Sequence, residues 1–182
     1  MKYPADWEAI FILEDGEKVR FRPEVRSDTE LLWNMISSLS EKSLSCLLPP
    51  FTRERVEGWT NSIDYEKVLT LVAVIIEKGE QKIIGTATLT FNAMEGFKHK
   101  AELSMTVHDG YQDKGIGTAI LKHLLEIAKV KGLRKVGLTV NTDNDKAIHL
   151  YKKVGFEIEG KLAEEHYYDG KFKDVYRMAV FL

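Results

Sequence analysis

Gln112-Asp113-Lys114-Gly115-Ile116-Gly117-Thr118 is the stretch whose residue types and spacing suit chemistry. It lies between an alternating segment, residues 101–107, and an apolar-periodic one, residues 116–131. That order reads as strand, glycine-bearing loop and first helical turn. A first helical turn has free backbone N–H groups and the positive end of the macrodipole, so it suits a phosphate. Gly115 and Gly117 remove side chains that would hold an anion off the backbone, and Lys114 adds positive charge. The sequence therefore predicts a pyrophosphate cradle. A G-x-G-x-x-G reading is weakened by Ile120 in place of the third glycine. A P-loop reading is weakened by Ile116 in the lysine position after Gly110 and Gly115. The pattern Q/R-x-x-G-x-G/A, opening a helix after a strand, fits as Gln112-x-x-Gly115-x-Gly117.

The elements that must position this loop follow from patterning. Residues 9–13 and 18–22 flank Asp15-Gly16, a hairpin signal. Asp28 is placed to cap a helix with Leu31, Leu32, Met35, Ile36 and Leu39 on one face. Residues 40–48 form a short helix stopped by Pro49-Pro50, and Thr52 caps a third through Val56 and Trp59. Residues 68–76, β-branched and continuous, suit a strand buried on both faces, with a turn at 78–81 and a partner strand at 83–91. Ala101, Leu103, Met105 and Val107 alternate with Glu102, Ser104, Thr106 and His108. The helix after the cradle buries Ile116, Ile120, Leu124, Ile127 and Ala128 and stops at Gly132. A strand at 136–140 ends in Asn141-Thr142-Asp143-Asn144, which caps a helix carrying Ala147, Ile148, Tyr151 and Val154. Residues 156–168 and 172–182 flank Asp169-Gly170 as a last hairpin. The fold class is α+β: a mixed sheet with hairpins at both ends and βα units between, in one domain over residues 1–182.

A chain of 182 residues, 44% hydrophobic and 30% charged, has ordinary globular composition and length enough for a real core. A net charge of −2 gives no electrostatic case for nucleic acid. The single Cys46 excludes an internal disulfide framework. The histidines lack metal-ligand spacing, so no metal is expected. No apolar run approaches a membrane span; the expectation is a soluble cytoplasmic protein without a membrane partner. An exposed edge strand would allow a homodimer.

A second motif follows one βα unit onward: Asn144-x-x-Ala147-Ile148-x-Leu150-Tyr151-x-Lys153-x-Gly155-Phe156. In this order and spacing the two motifs resemble the GNAT superfamily of acyl-CoA-dependent N-acetyltransferases, from about residue 68 to the C-terminus. The resemblance implies a central, mostly antiparallel sheet flanked by helices, in which two strands splay to open a slot for a thioester. It implies acetyl-CoA as donor, its pyrophosphate on the amides of Gln112, Asp113, Lys114, Gly115, Ile116, Gly117 and Thr118. Thr106, Val107 and His108 would hold the pantetheine arm by backbone hydrogen bonds. Asn144 and Ala147 belong to the cofactor motif, with Lys146 or Lys153 near the cofactor's charged part. Tyr151 matches the tyrosine that protonates the departing thiolate in many relatives.

Acyl transfer needs a neutral amine, whereas an alkylamine with a pKa of about 10.4 is mostly protonated at pH 7. A carboxylate or histidine can remove that proton, directly or through water. Glu102 resembles the strand glutamate that serves as base in several relatives; its other reading is a charge on a solvated face. His108 is the second candidate, since imidazole changes charge near neutral pH. Tyr151 also lies on the apolar stripe with Ala147 and Ile148, where an aromatic packs. The acceptor is a small molecule or a protein. Tyr168-Asp169-Gly170-Lys171, with Asp174 and Met178, is similar to GNATs acting on small amines, amino acids or protein N-termini. Ser38-Leu39-Ser40-Glu41-Lys42-Ser43 is similar to a segment of GNATs that acetylate protein lysines, without the arginine and phenylalanine expected after it. The expected activity is acetyl transfer to a primary amine by direct attack in a ternary complex. The alternatives are a non-catalytic acyl-CoA-binding or partner-binding module, or a transferase using another acyl-CoA.

Overall fold

The computed structural model describes residues 2–182. Its strands are β1 (Ala9–Ile12), β2 (Lys18–Pro23), β3 (Val68–Glu77), β4 (Glu80–Phe91), β5 (Lys100–Val107), β6 (Lys135–Asn141), β7 (Glu157–Tyr168) and β8 (Lys171–Phe181). They form one sheet in the order β1-β2-β3-β4-β5-β6-β8-β7, antiparallel throughout except between β5 and β6. Helices α1 (Thr29–Ser37), α2 (Glu41–Leu44) and α3 (Arg53–Asn61) connect β2 to β3. Helices α4 (Ile116–Val130) and α5 (Asp145–Lys153) precede and follow β6. Among the described residues no helix is long and apolar enough to cross a membrane.

Turn chemistry sets the hairpins. Lys78 and Gly79, like Asp169 and Gly170, all have positive φ, the two-residue turn whose twist matches its strands. The β3–β4 turn is therefore shorter than the expected span of 78–81. Alternation then sends side chains to two cores. Leu69 and Leu71 of β3, Leu89 of β4 and Leu103 of β5 meet Ile116, Ile120 and Leu124 of α4. On the other face, Val72, Val74 and Ile83 meet Leu32, Met35 and Ile36 of α1 and Val56 of α3. Beyond that second core the face turns polar, with Thr70, Thr88 and Ser104 in register across β3, β4 and β5.

Two local expectations are corrected. Asp28 does not cap α1 with its side chain. Its carboxylate takes Arg22 Nη1 and Nη2 at 2.7 Å each and the Val25 amide at 2.9 Å. A guanidinium brought inside needs a bidentate carboxylate, and that demand outcompetes the helix amides. Helix α2 ends at Leu44 rather than near Leu48, because the Cys46 and Leu47 amides turn back onto Ser43 and Leu44 in tight i→i−3 bonds.

Both Arg22 and Asp28 are buried. Asp28→Ala strands the guanidinium charge and should cost about 3–5 kcal/mol in denaturant unfolding. A loss below about 1 kcal/mol would mean that Arg22 finds other partners.

Candidate active site

β5 and β6 pair over only three positions, Lys100–Lys135, Ala101–Val136 and Glu102–Gly137. β5 stays on β4 to Val107 and β6 stays on β8 to Asn141, so the two strands part beyond Glu102 and Gly137. A stitch closes the fork. Arg177 of β8 reaches Glu102 through two hydrogen bonds of 2.5 and 2.6 Å. A Cβ at Gly137 would collide with the Arg177 guanidinium, so glycine is what lets Arg177 cross β6.

A cavity of about 560 Å³ extends from the fork beneath α1 and α3. Thr70, Thr88, Ser104 and Thr106 line it from the sheet, Phe51 and Trp59 from the helical segment. Asn141, Asn144, Ala147, Tyr151 and His166 line it from the other side of the fork. Glu102, His108, Lys146 and Lys153 are not among the lining residues.

The loop before α4 turns through Asp113 (φ +62°) and Gly115 (φ +81°) into a helix with no side-chain cap. Among the described residues the amides of Asp113, Lys114, Gly115, Ile116, Gly117 and Thr118 have no hydrogen-bond acceptor. Open donors at a helix N-terminus fit a phosphate group. The missing side chain of Gly117 serves packing instead. A Cβ there would stand 3.0 Å from Leu150 Cδ1 and 3.3 Å from Met105 Cε, so glycine lets α4 close onto α5 and β5. Lys114 lies over the Tyr111 ring and Lys146 pairs with Asp113 at 2.7 Å, which keeps both cations beside the loop. Lys153 has no ion pair among the described residues. Gln112 turns inward, its Nε2 donating to the Val107 carbonyl at 3.0 Å. That carbonyl, expected to hold a pantetheine arm, is thus already engaged.

The loop is also clamped to α2. Asp109 accepts from Ser40 N at 2.9 Å and from the Ser40 and Ser43 hydroxyls at 2.7 Å each. Burial opposes its charge, but these donors outweigh burial and pull the carboxyl down to about 2.

Neither expected base is free. Both Glu102 oxygens are held by Arg177 at the closed end of the fork. His108 Nδ1 accepts from the Gly110 amide and Nε2 lies 3.2 Å from Ser38 Oγ, so the ring ties β5 to the end of α1. Tyr151 does line the cavity. It is 7% exposed, packs on Phe156, and its hydroxyl has no hydrogen-bond partner among the described residues. Burial first, and then the Cys46 thiol, push its pKa up. Asn144 caps α5 at the Ala147 amide, 3.2 Å away, and donates to Cys46 Sγ at 3.3 Å.

Sequence reasoning missed His166, Asn141 and Glu24. β7 bulges between Leu162 and His166, with Glu164 at positive φ and its amide on Asp174 Oδ1; the bulge re-aims His166. Asn141 spends Nδ2 on the Ser45 carbonyl, so its Oδ1, 2.7 Å from His166 Nδ1, can only accept. Nδ1 is therefore the donor, and in the uncharged tautomer this selects, the lone pair falls on Nε2. Glu24, just past β2, is 6% exposed and its Oε1 has no partner among the described residues. No motif or period marks His166 or Glu24, and Asn141 is marked only as part of the polar cluster before α5.

A model of the acetyltransferase (GNAT) family matches residues 33–156. The chain is 36% identical over 83 residues to the spermidine N(1)-acetyltransferase of Escherichia coli K12. That match covers 45% of this chain and 45% of the relative, about half its length. The GNAT domain of S. lividans PAT superposes with a TM-score of 0.79 at 26% identity, over 100% of both chains. The Vibrio cholerae spermidine N-acetyltransferase in complex with CoA and spermine gives a TM-score of 0.74 at 26% identity, over 90% of this chain and 95% of that one.

Burial raises the Glu24 carboxyl from its usual 4.5 to about 7, against a Thr70 hydrogen bond that lowers it. The folded state thus favours the protonated form. This group's stabilisation is complete below pH 4.5 and is lost as pH rises through about 7. Glu24→Gln should remove a decline on the order of 3 kcal/mol across that window and raise Tm at pH 8. Parallel pH–stability curves for the two proteins would contradict it.

Proposed function

Because the chain belongs to the acetyltransferase (GNAT) family, we propose that it transfers an acetyl group from acetyl-CoA to a primary amine by direct attack in a ternary complex. The observation that carries this reading is the pairing of open amides at the start of α4 with a fork that leads to Tyr151 and His166. Acetyl-CoA, when bound, supplies the thioester. The amides of residues 113–118 hold its pyrophosphate, and the β5 edge beyond Glu102 receives its pantetheine arm as an added strand. The carbonyl of Val107 joins in only if Gln112 releases it.

His166 Nε2 takes the proton that an incoming ammonium must lose, while Asn141 Oδ1 steadies the imidazolium at Nδ1. Tyr151 Oη donates a hydrogen bond to the leaving sulfur. Burial raises the basicity of a thiolate along with that of the phenol, so donor and acceptor stay matched. Glu102 and His108 take positioning roles: one closes the fork, the other anchors the loop after β5. The roof of Phe51 and Trp59 favours a slender small-molecule amine over a folded protein surface. A cytoplasmic setting, where acyl-CoA is available, goes with this reading.

Acetyl-CoA should raise Tm while NAD and ATP do not; equal shifts with all three would remove the cradle assignment. His166→Gln should lower kcat by about 100-fold or more and flatten the acid limb of the pH profile, with acetyl-CoA stabilisation retained. Loss of that limb in Glu102→Gln instead would return the base to Glu102. Tyr151→Phe should slow turnover by about tenfold or more without loss of donor binding; unchanged turnover would leave Tyr151 a packing residue.

A further inference from the structure

The Glu24 carboxylate faces the same cavity as Tyr151 and His166, but from far across the sheet. Its amide donates to the Thr70 carbonyl on β3, and β4 and β5 lie between that strand and the fork. At about 4.8 Å per strand, β2 and β5 are roughly 14 Å apart. The charges around Glu24 leave it uncompensated. Arg22 is spent on Asp28, and the Tyr65 hydroxyl donates to the Glu24 main-chain carbonyl. Arg55, also at the cavity, donates to the carbonyls of Leu48 and Pro50 and lies over the Trp59 ring, and it is not among the charges that act on the Glu24 carboxyl. One hydroxyl, Thr70, reaches the carboxyl and is itself 3.0 Å from the Thr88 hydroxyl. A buried carboxylate oxygen with no donor carries a desolvation cost that a ligand can relieve. Met35 and Tyr65 line the same cavity, and apolar and aromatic lining suits an alkylammonium ion.

We propose that Glu24 receives a second ammonium group of the acceptor, so that the site selects a linear diamine or polyamine with one amine at the fork and another at Glu24. This rests on the amine-acetylation reading above. It makes Glu24 a specificity residue and gives its buried oxygen a partner. Charge on Glu24 develops as pH rises through the range in which alkylamines remain cationic, so diamine affinity grows across that range while monoamine affinity does not.

The test is calorimetric titration at pH 8, with CoA present, of α,ω-diamines from 1,4-diaminobutane to 1,10-diaminodecane and of n-alkylamines of matched length. One diamine length should bind at least about tenfold tighter than its monoamine, and Glu24→Gln should bring that ratio close to one. A wild-type ratio near one at every length overturns the proposal without any variant, and so does a ratio that survives Glu24→Gln. Because binding is read, a Glu24-dependent diamine preference in a protein that acetylates no amine supports the subsite while removing the acetylation reading. Acetylation of monoamines with no diamine preference does the reverse.

Discussion

Parallel pairing between β5 and β6 stops after Glu102 and Gly137, and the rest of the site depends on that stop. Each strand is held on its outer edge by an antiparallel ladder, so neither can follow the other once the two halves of the sheet diverge. The inner edges then present main-chain groups that no strand satisfies, a costly state unless something else completes it. Arg177 fixes where the opening begins by crossing Gly137 to Glu102. Both side chains are partly exposed, so the pair adds little to stability; its effect is to position the fork.

The carboxylates near the site are sorted by the donors they receive. Asp28 has two guanidinium hydrogens and an amide, and it holds the chain between β2 and α1. Asp109 has an amide and two hydroxyls, stays ionised, and holds α2 against the loop after β5. Glu102 has a whole guanidinium. Glu24 alone among these four leaves a buried oxygen without a donor. Satisfied carboxylates build the frame, and the Glu24 oxygen is the one that still has room for a donor.

Much of the frame was legible locally. Asp-Gly turns, alternation along β5, the amphipathic period of α4 and the Thr52 cap of α3 are all set by neighbours in sequence, and the structure carries each of them. The open amides before α4 were legible too, because a glycine-bearing loop entering a helix leaves them free wherever the helix sits. Alternation correctly put Glu102 on the face shared with Ser104 and Thr106. It carried no information about where β6 stops pairing, and that point decides whether a residue lines the cavity or closes it.

What the sequence determined by itself was therefore local: strand, glycine-bearing loop with open amides and helix, with Asn144 and Tyr151 one unit further on. Those features depend on spacings of a few residues, and short-range backbone geometry turns such spacings directly into structure. The surroundings of His166 and Glu24 were decided only in three dimensions. His166 gains its tautomer from Asn141 across a bulged hairpin, and Glu24 gains its environment from Thr70 and Tyr65 on later elements. A side chain's proton affinity is set by what surrounds it, and the chain must close on itself before those surroundings exist.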